Sequence, residues 1–320
     1  MKRREVAVAD IGATHARFAI ATIENGSVVS LGDPAVLTTN EFDGLETAWV
    51  EVSRRLGPLP RSASIAIAGP VLGDRAPMTN GRWVLNLPAI RSSLELEALT
   101  VLNDFGAVAH AVANLSADQF IHIAGPEAEL PRQGTITVLG PGTGLGVAHF
   151  HRFEGGCHVQ ATEGGHVGFA PQDEFDDRML SNLRAKYGRV VTERIHSGPG
   201  IVHIYAAFSG AALTDERDIW MRGIDRTDPL AMQAVDRFCT SLGTVAGDYA
   251  LAHGSSGVVL AGGVGLRLRD ILPRSQFGER FRAKPRYEEM MAAIPVKLVT
   301  HTQPGLFGAA AAFAREHPQR

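Results

Sequence analysis

The chain of 320 residues has only 2 cysteines, Cys157 and Cys239, far apart and without the paired spacing of zinc or redox motifs. They read as reduced thiols in a cytoplasmic protein. No apolar window reaches the length of a membrane span, so no membrane partner is expected. The basic start Lys2-Arg3-Arg4 runs straight into Val6-Ala-Val8 and then Asp10, which excludes a signal peptide. Charge of one sign is missing too: the net charge is −3 and no long like-charge block occurs, which argues against nucleic acid as a partner. Low-complexity segments and flexible linkers are absent. What is present is 45% hydrophobic and 20% charged residues with 35 glycines, enough apolar material for about two domains.

The stretch around which the chain is organised is Leu99-Thr-Val-Leu-Asn-Asp-Phe105, an apolar strand pattern running into Asn103-Asp104 and then into a helix pattern, Phe105–Leu115. Two readings of Asp104 stand side by side. It is a favoured helix-cap residue, and it is also a carboxylate at the carboxyl end of a strand, where open α/β sheets bind ligands.

Along the chain, residues 5–10 read as a strand, Ile11–His15 as a Gly loop, Arg17–Ile23 as a strand, Glu24-Asn-Gly26 as a hairpin turn and Ser27–Leu31 as a third strand. Residues 41–56 carry Phe42, Leu45, Trp49, Val52 and Leu56 on one helical stripe. Ser64–Ala68 reads as a short buried strand and Gln119–Ala124 as another. The opening pattern then recurs: strand Thr135–Leu139, Gly loop Gly140–Gly146, strand Val147–His151, turn Glu154-Gly-Gly156 and strand Cys157–Ala161. The recurrence suggests a duplicated core in two domains. The second half reads as helices at 174–187, 198–210 and 228–253, a strand at 257–261, a turn at Gly262-Gly263 and a helix at 266–272. A surface excursion over 273–290, a strand at 295–300 and a final Ala-rich helix from Pro304 to Arg315 complete it. The Asp228-Pro229 start is a cap with proline in the first position.

Both Gly loops join strand to strand, and no Gly-Lys-Ser/Thr follows either, which argues against a dinucleotide fingerprint and against the usual triphosphatase loop. A Gly-rich hairpin still presents bare backbone N–H groups to a phosphate, and Thr14 and Thr143 would add hydroxyls. Asp10, beside the first loop, reads either as a turn former or as a carboxylate facing Mg²⁺ through water. Glu163-Gly-Gly-His166 lets a carboxylate and an imidazole converge on one small ligand, and Glu193 precedes the helix-start signature Ser197-Gly-Pro-Gly200. With Asn103 and Asp104 these suit a polyhydroxyl ligand. Metal ligation by Glu163 and His166 competes, without a third ligand at recognisable spacing. His15, His149, His151, His158, His196 and His203 have no partner pattern and read as surface or loop residues.

Assembled in order, these motifs resemble the bacterial glucokinases of non-repressor type, within the hexokinase and actin-like ATPase superfamily. The resemblance spans almost the whole chain. Its anchors are Asp10-Ile-Gly-Ala-Thr14 with Ala16-Arg17, Pro77-Met-Thr-Asn80 with Trp83, Asn103-Asp104-Phe105, Gly140–Gly146, Glu163-Gly-Gly-His-Val167 with Phe169-Ala-Pro171, Glu193-Arg194 with Ser197-Gly-Pro-Gly200, Ala261-Gly-Gly263 and Pro304-Gly305. It implies an α/β, two-domain actin-like ATPase (ribonuclease H-like) fold, each domain a mixed sheet flanked by helices. Residues 1–114 plus 304–320 would form the small domain and 115–303 the large one, with ATP and sugar in the cleft between them and the chain a homodimer.

The resemblance further implies phosphorylation of the glucose 6-hydroxyl by ATP with Mg²⁺. Asp104 is then the general base, and Asn103, Glu163, His166 and Glu193 hold the sugar with it. Ala9, Asp10, Ile11, Gly12, Ala13 and Thr14, together with Gly142, Thr143 and Gly144, embrace the phosphates, and Gly262 and Gly263 lie near adenosine. Repressor-type sugar kinases resemble the chain less: Cys157 and Cys239 cannot form their zinc motif, and the first core strand begins by Glu5, with no DNA-binding extension before it. The chain departs from the usual family loop, Gly-Asp-Val/Ile-Gly-Gly-Thr-Asn, at Ala9, Ala13 and His15, which bears on phosphate affinity and donor choice. An alanine held at positive φ would cost about 1 kcal/mol. A kinase for another hexose (mannose, fructose or an amino sugar), a non-catalytic sugar-sensing module and a phosphatase-like hydrolase are the rival readings.

Overall fold

The structure, a computed structural model, describes residues 3–210 and 215–318. Residues 1–2 and 319–320 of the expected small domain, and with them Lys2 of the basic start, lie outside the described residues. The chain divides into two compact units, Met1–Leu115 with His301–Arg320 and Ser116–Thr300.

In the first unit, β1 (Arg3–Ile11), β2 (His15–Glu24) and β3 (Ser27–Leu31) form an antiparallel meander. Asn25 and Gly26 turn the β2–β3 hairpin with φ of 50° and 80°, the left-handed pair such a tight turn demands. β4 (Ala35–Thr38) pairs with the start of β2, and α1 (Leu45–Leu56) buries Leu45, Ala48, Trp49 and Val52. The helix starts later than its apolar stripe suggests, because Thr39–Glu41 form a separate 3₁₀ turn. β5 (Ser62–Ile67) lies parallel to β1 and buries every residue. A small hairpin, β6 (Arg75–Pro77) and β7 (Val84–Asn86), leads to α2 (Leu87–Ser93), capped by Asn86. Then come β8 (Ala98–Asn103), parallel to β5, and α3 (Asp104–Asn114). The strand order is β3-β2-β1-β5-β8, with β4 on β2.

The second unit repeats this plan. β9 (Phe120–Ala124) precedes an antiparallel meander of β10 (Gly134–Pro141), β11 (Leu145–Phe153) and β12 (Gly156–Thr162). Helices α4 (Glu174–Tyr187), α5 (Ile201–Ser209), α6 (Glu216–Ile224) and α7 (Pro229–Ala252) follow. Asp228 caps α7 by accepting from Leu230 N and Ala231 N. β13 (Ser255–Leu260) lies parallel to β10. α8 (Gly262–Arg267), α9 (Phe277–Arg282) and α10 (Glu288–Ala292) lead to β14 (Val296–Val299). The order is β12-β11-β10-β13-β14-β9.

Two expectations are corrected here. Gly262-Gly263 open α8 rather than forming a turn before a helix at 266–272. The span 273–290 is not a surface excursion: Phe277 and Phe281 are buried in the core of this unit. Glycines on α7 explain why, since a Cβ on Gly243 would lie 2.3 Å from Phe277 O and one on Gly247 2.4 Å from Phe281 O.

After Thr300 the chain returns to the first unit as α11 (Pro304–Glu316). Its small-residue face packs against α3, where a Cβ on Gly308 would stand 1.7 Å from Ala107 O, and Ser64 Oγ donates to Ala309 O at 2.7 Å. Among the described residues no helix is long and apolar enough to cross a membrane. Neither cysteine forms a disulfide, and Cys239 is fully buried.

Candidate active site

At the end of β8 the cap of α3 is Asn103, not Asp104. Asn103 Oδ1 accepts from Phe105 N (2.9 Å) and Gly106 N (3.0 Å), and its Nδ2 donates to Gly69 O (3.2 Å). Both lone pairs and one amide hydrogen are thereby committed, which leaves Asn103 a single donor for a ligand. Asp104 is the first helical residue, half-buried, with Oδ1 receiving the Phe105 amide at 2.8 Å.

Asp10 stands near the end of β1, opposite Arg17 on β2, whose guanidinium is 4.0 Å from Oδ2. A Cβ on Gly305 would lie 2.6 Å from the same oxygen, so the first turn of α11 rests on this carboxylate and only glycine fits there. Burial raises the Asp10 carboxyl above its usual range, with Arg17 opposing. Such a carboxylate gains from a nearby cation. Among the described residues no group of three or more His, Cys, Asp or Glu is arranged to hold a metal.

The adjoining loop is closed by Gly12 N donating to His15 O (2.9 Å) and pinned by Thr39, whose Oγ1 donates to Gly12 O (2.8 Å) and whose N donates to Thr14 O (3.0 Å). Nothing in the sequence pointed to Thr39. Ala9 is fully buried in the sheet, and Ala13 does not adopt a positive φ, so the departures at these positions carry no backbone strain.

In the second unit, the hairpin between β10 and β11 is closed by Gly142 N donating to Gly144 O (2.8 Å), while Gly198 N donates to Gly142 O (2.7 Å). Gly262, at φ 84°, starts α8 against the same hairpin: a Cβ there would be 2.7 Å from Pro141 O. Around Gly142 and Gly263 a Cβ would meet nothing, so these backbones face open space. Thr143 is exposed. The expected phosphate residues Gly142–Gly144 and the expected adenosine residues Gly262 and Gly263 thus sit side by side.

Glu163 and His166, both exposed, project from a 3₁₀ turn, Gly164–His166, closed by His166 N donating to Glu163 O (3.0 Å). The turn's glycines are forced by close approach to β11, since a Cβ on Gly165 would stand 2.2 Å from Leu145 O. Glu193 lies on a second 3₁₀ turn, Thr192–Arg194, and its Oε2 accepts from Leu145 N at 2.8 Å. A Cβ on Gly144 would be 2.3 Å from that oxygen. One carboxylate oxygen of Glu193 is therefore occupied by the hairpin, a contact between residues 48 apart in the chain that no local pattern announces.

The histidines divide. His15, His151 and His158 are exposed as expected, whereas His149 and His203 are half-buried and His196 is fully buried, which corrects the surface reading. His196 Nε2 pairs with Ser241 Oγ at 2.7 Å, and burial pulls its pKa down to about 4. These are packing residues.

Residues 7–316 match the family model described as Glucokinase. The chain is 50% identical to the glucokinase of Zymomonas mobilis over 98% of its own length and 99% of that protein's. It is 31% identical to the crystal structure of a glucokinase from an Antarctic psychrotroph, with a TM-score of 0.84 over 97% of this chain and 99% of that one. A ROK family glucokinase from Streptomyces griseus, solved in complex with glucose and AMPPNP, shares the fold at 19% identity, with a TM-score of 0.64 over 98% of this chain and 100% of that one. On the family model and the full-length identity, the chain belongs to the glucokinase family.

Proposed function

We infer that the protein transfers the γ-phosphoryl group of ATP to the 6-hydroxyl of D-glucose, giving glucose 6-phosphate and ADP. The geometric observation that supports this best is the place of Asp104, a half-buried carboxylate at the carboxyl end of β8 and the first residue of α3, a helix whose cap is Asn103. In the reaction the Asp104 carboxylate accepts the hydroxyl proton as the new O–P bond forms and the bond to the β,γ-bridging oxygen breaks, with ADP leaving with the electron pair. The protein's work is positioning and charge stabilisation. Asn103 offers its remaining donor, Glu193 its remaining oxygen, and Glu163 and His166 their exposed side chains to the other sugar hydroxyls. The segment Ala9, Asp10, Ile11, Gly12, Ala13 and Thr14 and the loop Gly142, Thr143 and Gly144 embrace the phosphates, with the amides of Gly12 and Gly142 already committed to His15 O and Gly144 O; Gly262 and Gly263 serve the adenosine. Mg²⁺, when bound with the nucleotide, supplies charge neutralisation at the phosphates, and Asp10 would hold it through water.

A cytoplasmic homodimer completes the proposal, supported by two cysteines that form no disulfide and by the family resemblance. The test is ADP release by purified protein with Mg-ATP and no sugar, glucose, mannose, fructose or N-acetylglucosamine. A signal with glucose supports the reading. Equal hydrolysis with and without sugar overturns it, and silence with a glucose-dependent rise in Tm points to a sugar sensor. Gel filtration with light scattering tests the dimer.

A further inference from the structure

The three-residue turns that carry Glu163, His166 and Glu193 are too short to orient themselves. Bonds from outside hold them. Thr192, buried and immediately before Glu193, donates twice to Val167 O, from its N at 2.8 Å and its Oγ1 at 3.0 Å. Val167 immediately follows His166. From α7 the nearly buried Tyr249 hydroxyl donates to Gly164 O, at the centre of the Glu163–His166 turn. On its other side Gly164 lies flush with β11, where a Cβ would be 2.8 Å from Val147 Cβ. Burial raises the Tyr249 phenol above its usual value, with the Thr192 hydroxyl beside it opposing.

A cavity of about 470 Å³ opens against this arrangement, with Thr162, Gly164, Val167, Phe169, Thr192 and Tyr249 in its wall. On that side the turns border the cavity, so the hydrogen bonds from Tyr249 and Thr192 oppose movement into it. We propose that Tyr249 and Thr192 are positioning residues that fix the spacing of the Glu163–His166 turn from Glu193 and thereby set the protein's discrimination between hexose epimers. The inference rests on the sugar-binding roles given above. Epimers differ in the direction of one hydroxyl, and a site rejects the wrong one by leaving a polar group unpaired. That penalty requires acceptors that do not shift to follow the ligand.

The test compares kcat and KM for glucose and mannose, and KM for ATP, in wild type, Tyr249→Phe, Thr192→Val and Thr192→Ser. Tyr249→Phe keeps almost all of the side chain's volume, so it remains informative if Thr192→Val fails to fold. Loss of one buried hydrogen bond is expected to raise the glucose KM about tenfold. The preference for glucose over mannose in kcat/KM should fall about threefold or more, with the ATP KM within about twofold of wild type. Thr192→Ser, which keeps both donors, should restore wild-type behaviour. Unchanged glucose KM and selectivity in active Tyr249→Phe overturns the inference, as does a parallel rise in both KM values that Thr192→Ser does not rescue. If wild type itself phosphorylates neither sugar, the kinase reading falls and this inference with it.

Discussion

The two units repeat one plan and use it differently. Each has an antiparallel meander closed by a tight loop, then a parallel strand on the meander's first strand and another beyond it: β5 and β8 in one, β13 and β14 in the other. In the first unit the carboxyl ends of β1 and β8 carry acids, Asp10 and Asp104. In the second, β14 runs into Thr300-His301-Thr302-Gln303, with no acid. The loops differ too. The β1–β2 loop has one glycine and is held by hydrogen bonds, one within the loop and two from Thr39, while the β10–β11 hairpin is pressed by Glu193, Gly198 and Gly262 and tolerates side chains only where space remains. Glycine content in such a loop reports what is packed against it, not only what it binds.

The comparison breaks most sharply at Asp104. As the proposed base, Asp104→Ala should lower kcat by about a thousandfold in a coupled ADP assay while a glucose-induced Tm shift persists. Near-normal turnover would remove the base from Asp104.

Next, Gly144→Ala places a methyl where the Glu193 carboxylate stands. We expect KM for both glucose and ATP to rise by about tenfold or more in steady-state kinetics.

Acid sensitivity of stability should be larger in the second unit, where burial lowers His149, His196, His203 and His253, than in the first, where it lowers His301. With the pKa of His196 pulled down from 6.5 to about 4, the unfolded chain binds the proton that the folded one refuses, so stability rises with pH between about 4 and 6.5. Urea unfolding at pH 7 and pH 5 should differ by about 2 kcal/mol from this group alone. Burial also pulls His253 down to about 4, which acts in the same direction.

In the first unit the proposed role of Asp10 links a titration to activity. The raised Asp10 carboxyl should give an acid limb above the usual aspartate range, and Arg17→Gln, which removes the opposing guanidinium, should move it to higher pH. An acid limb that does not move would separate Asp10 from the reaction. Smallest of all is Ala13→Gly: with no positive φ to relieve, KM for ATP should stay within about twofold.

Much of the fold was legible because its signals are local. Alternating strands, the Asn25-Gly26 turn and the Asp228-Pro229 helix start act through neighbours in sequence. Some elements were missed although their signals were present: Asn86 with Pro88 at the start of α2, and Asp215 ahead of α6. Others were missed because the reason lies elsewhere in the chain. α9 is buried by the glycines of α7, and its polar, proline-flanked sequence reads as surface without them.

For the candidate site, the sequence by itself determined which chemical groups are available and in what order: Asp10, Asn103-Asp104, the Gly140–Gly146 hairpin, Glu163 with His166, and Glu193. Residue type and short spacing suffice for that, since capping, turn formation and proton transfer depend on the side chain itself. Only the tertiary structure decided how much of each group is left for a ligand. Asn103 rather than Asp104 caps α3, Glu193 gives one oxygen to Leu145, His196 is withdrawn into the core, and Tyr249 and Thr192 bond to Gly164 O and Val167 O, in and just after the Glu163–His166 turn. Hydrogen-bond capacity is finite, and apart from the local cap at Asn103 these bonds are made between residues distant in sequence, so only the packed chain reveals what remains.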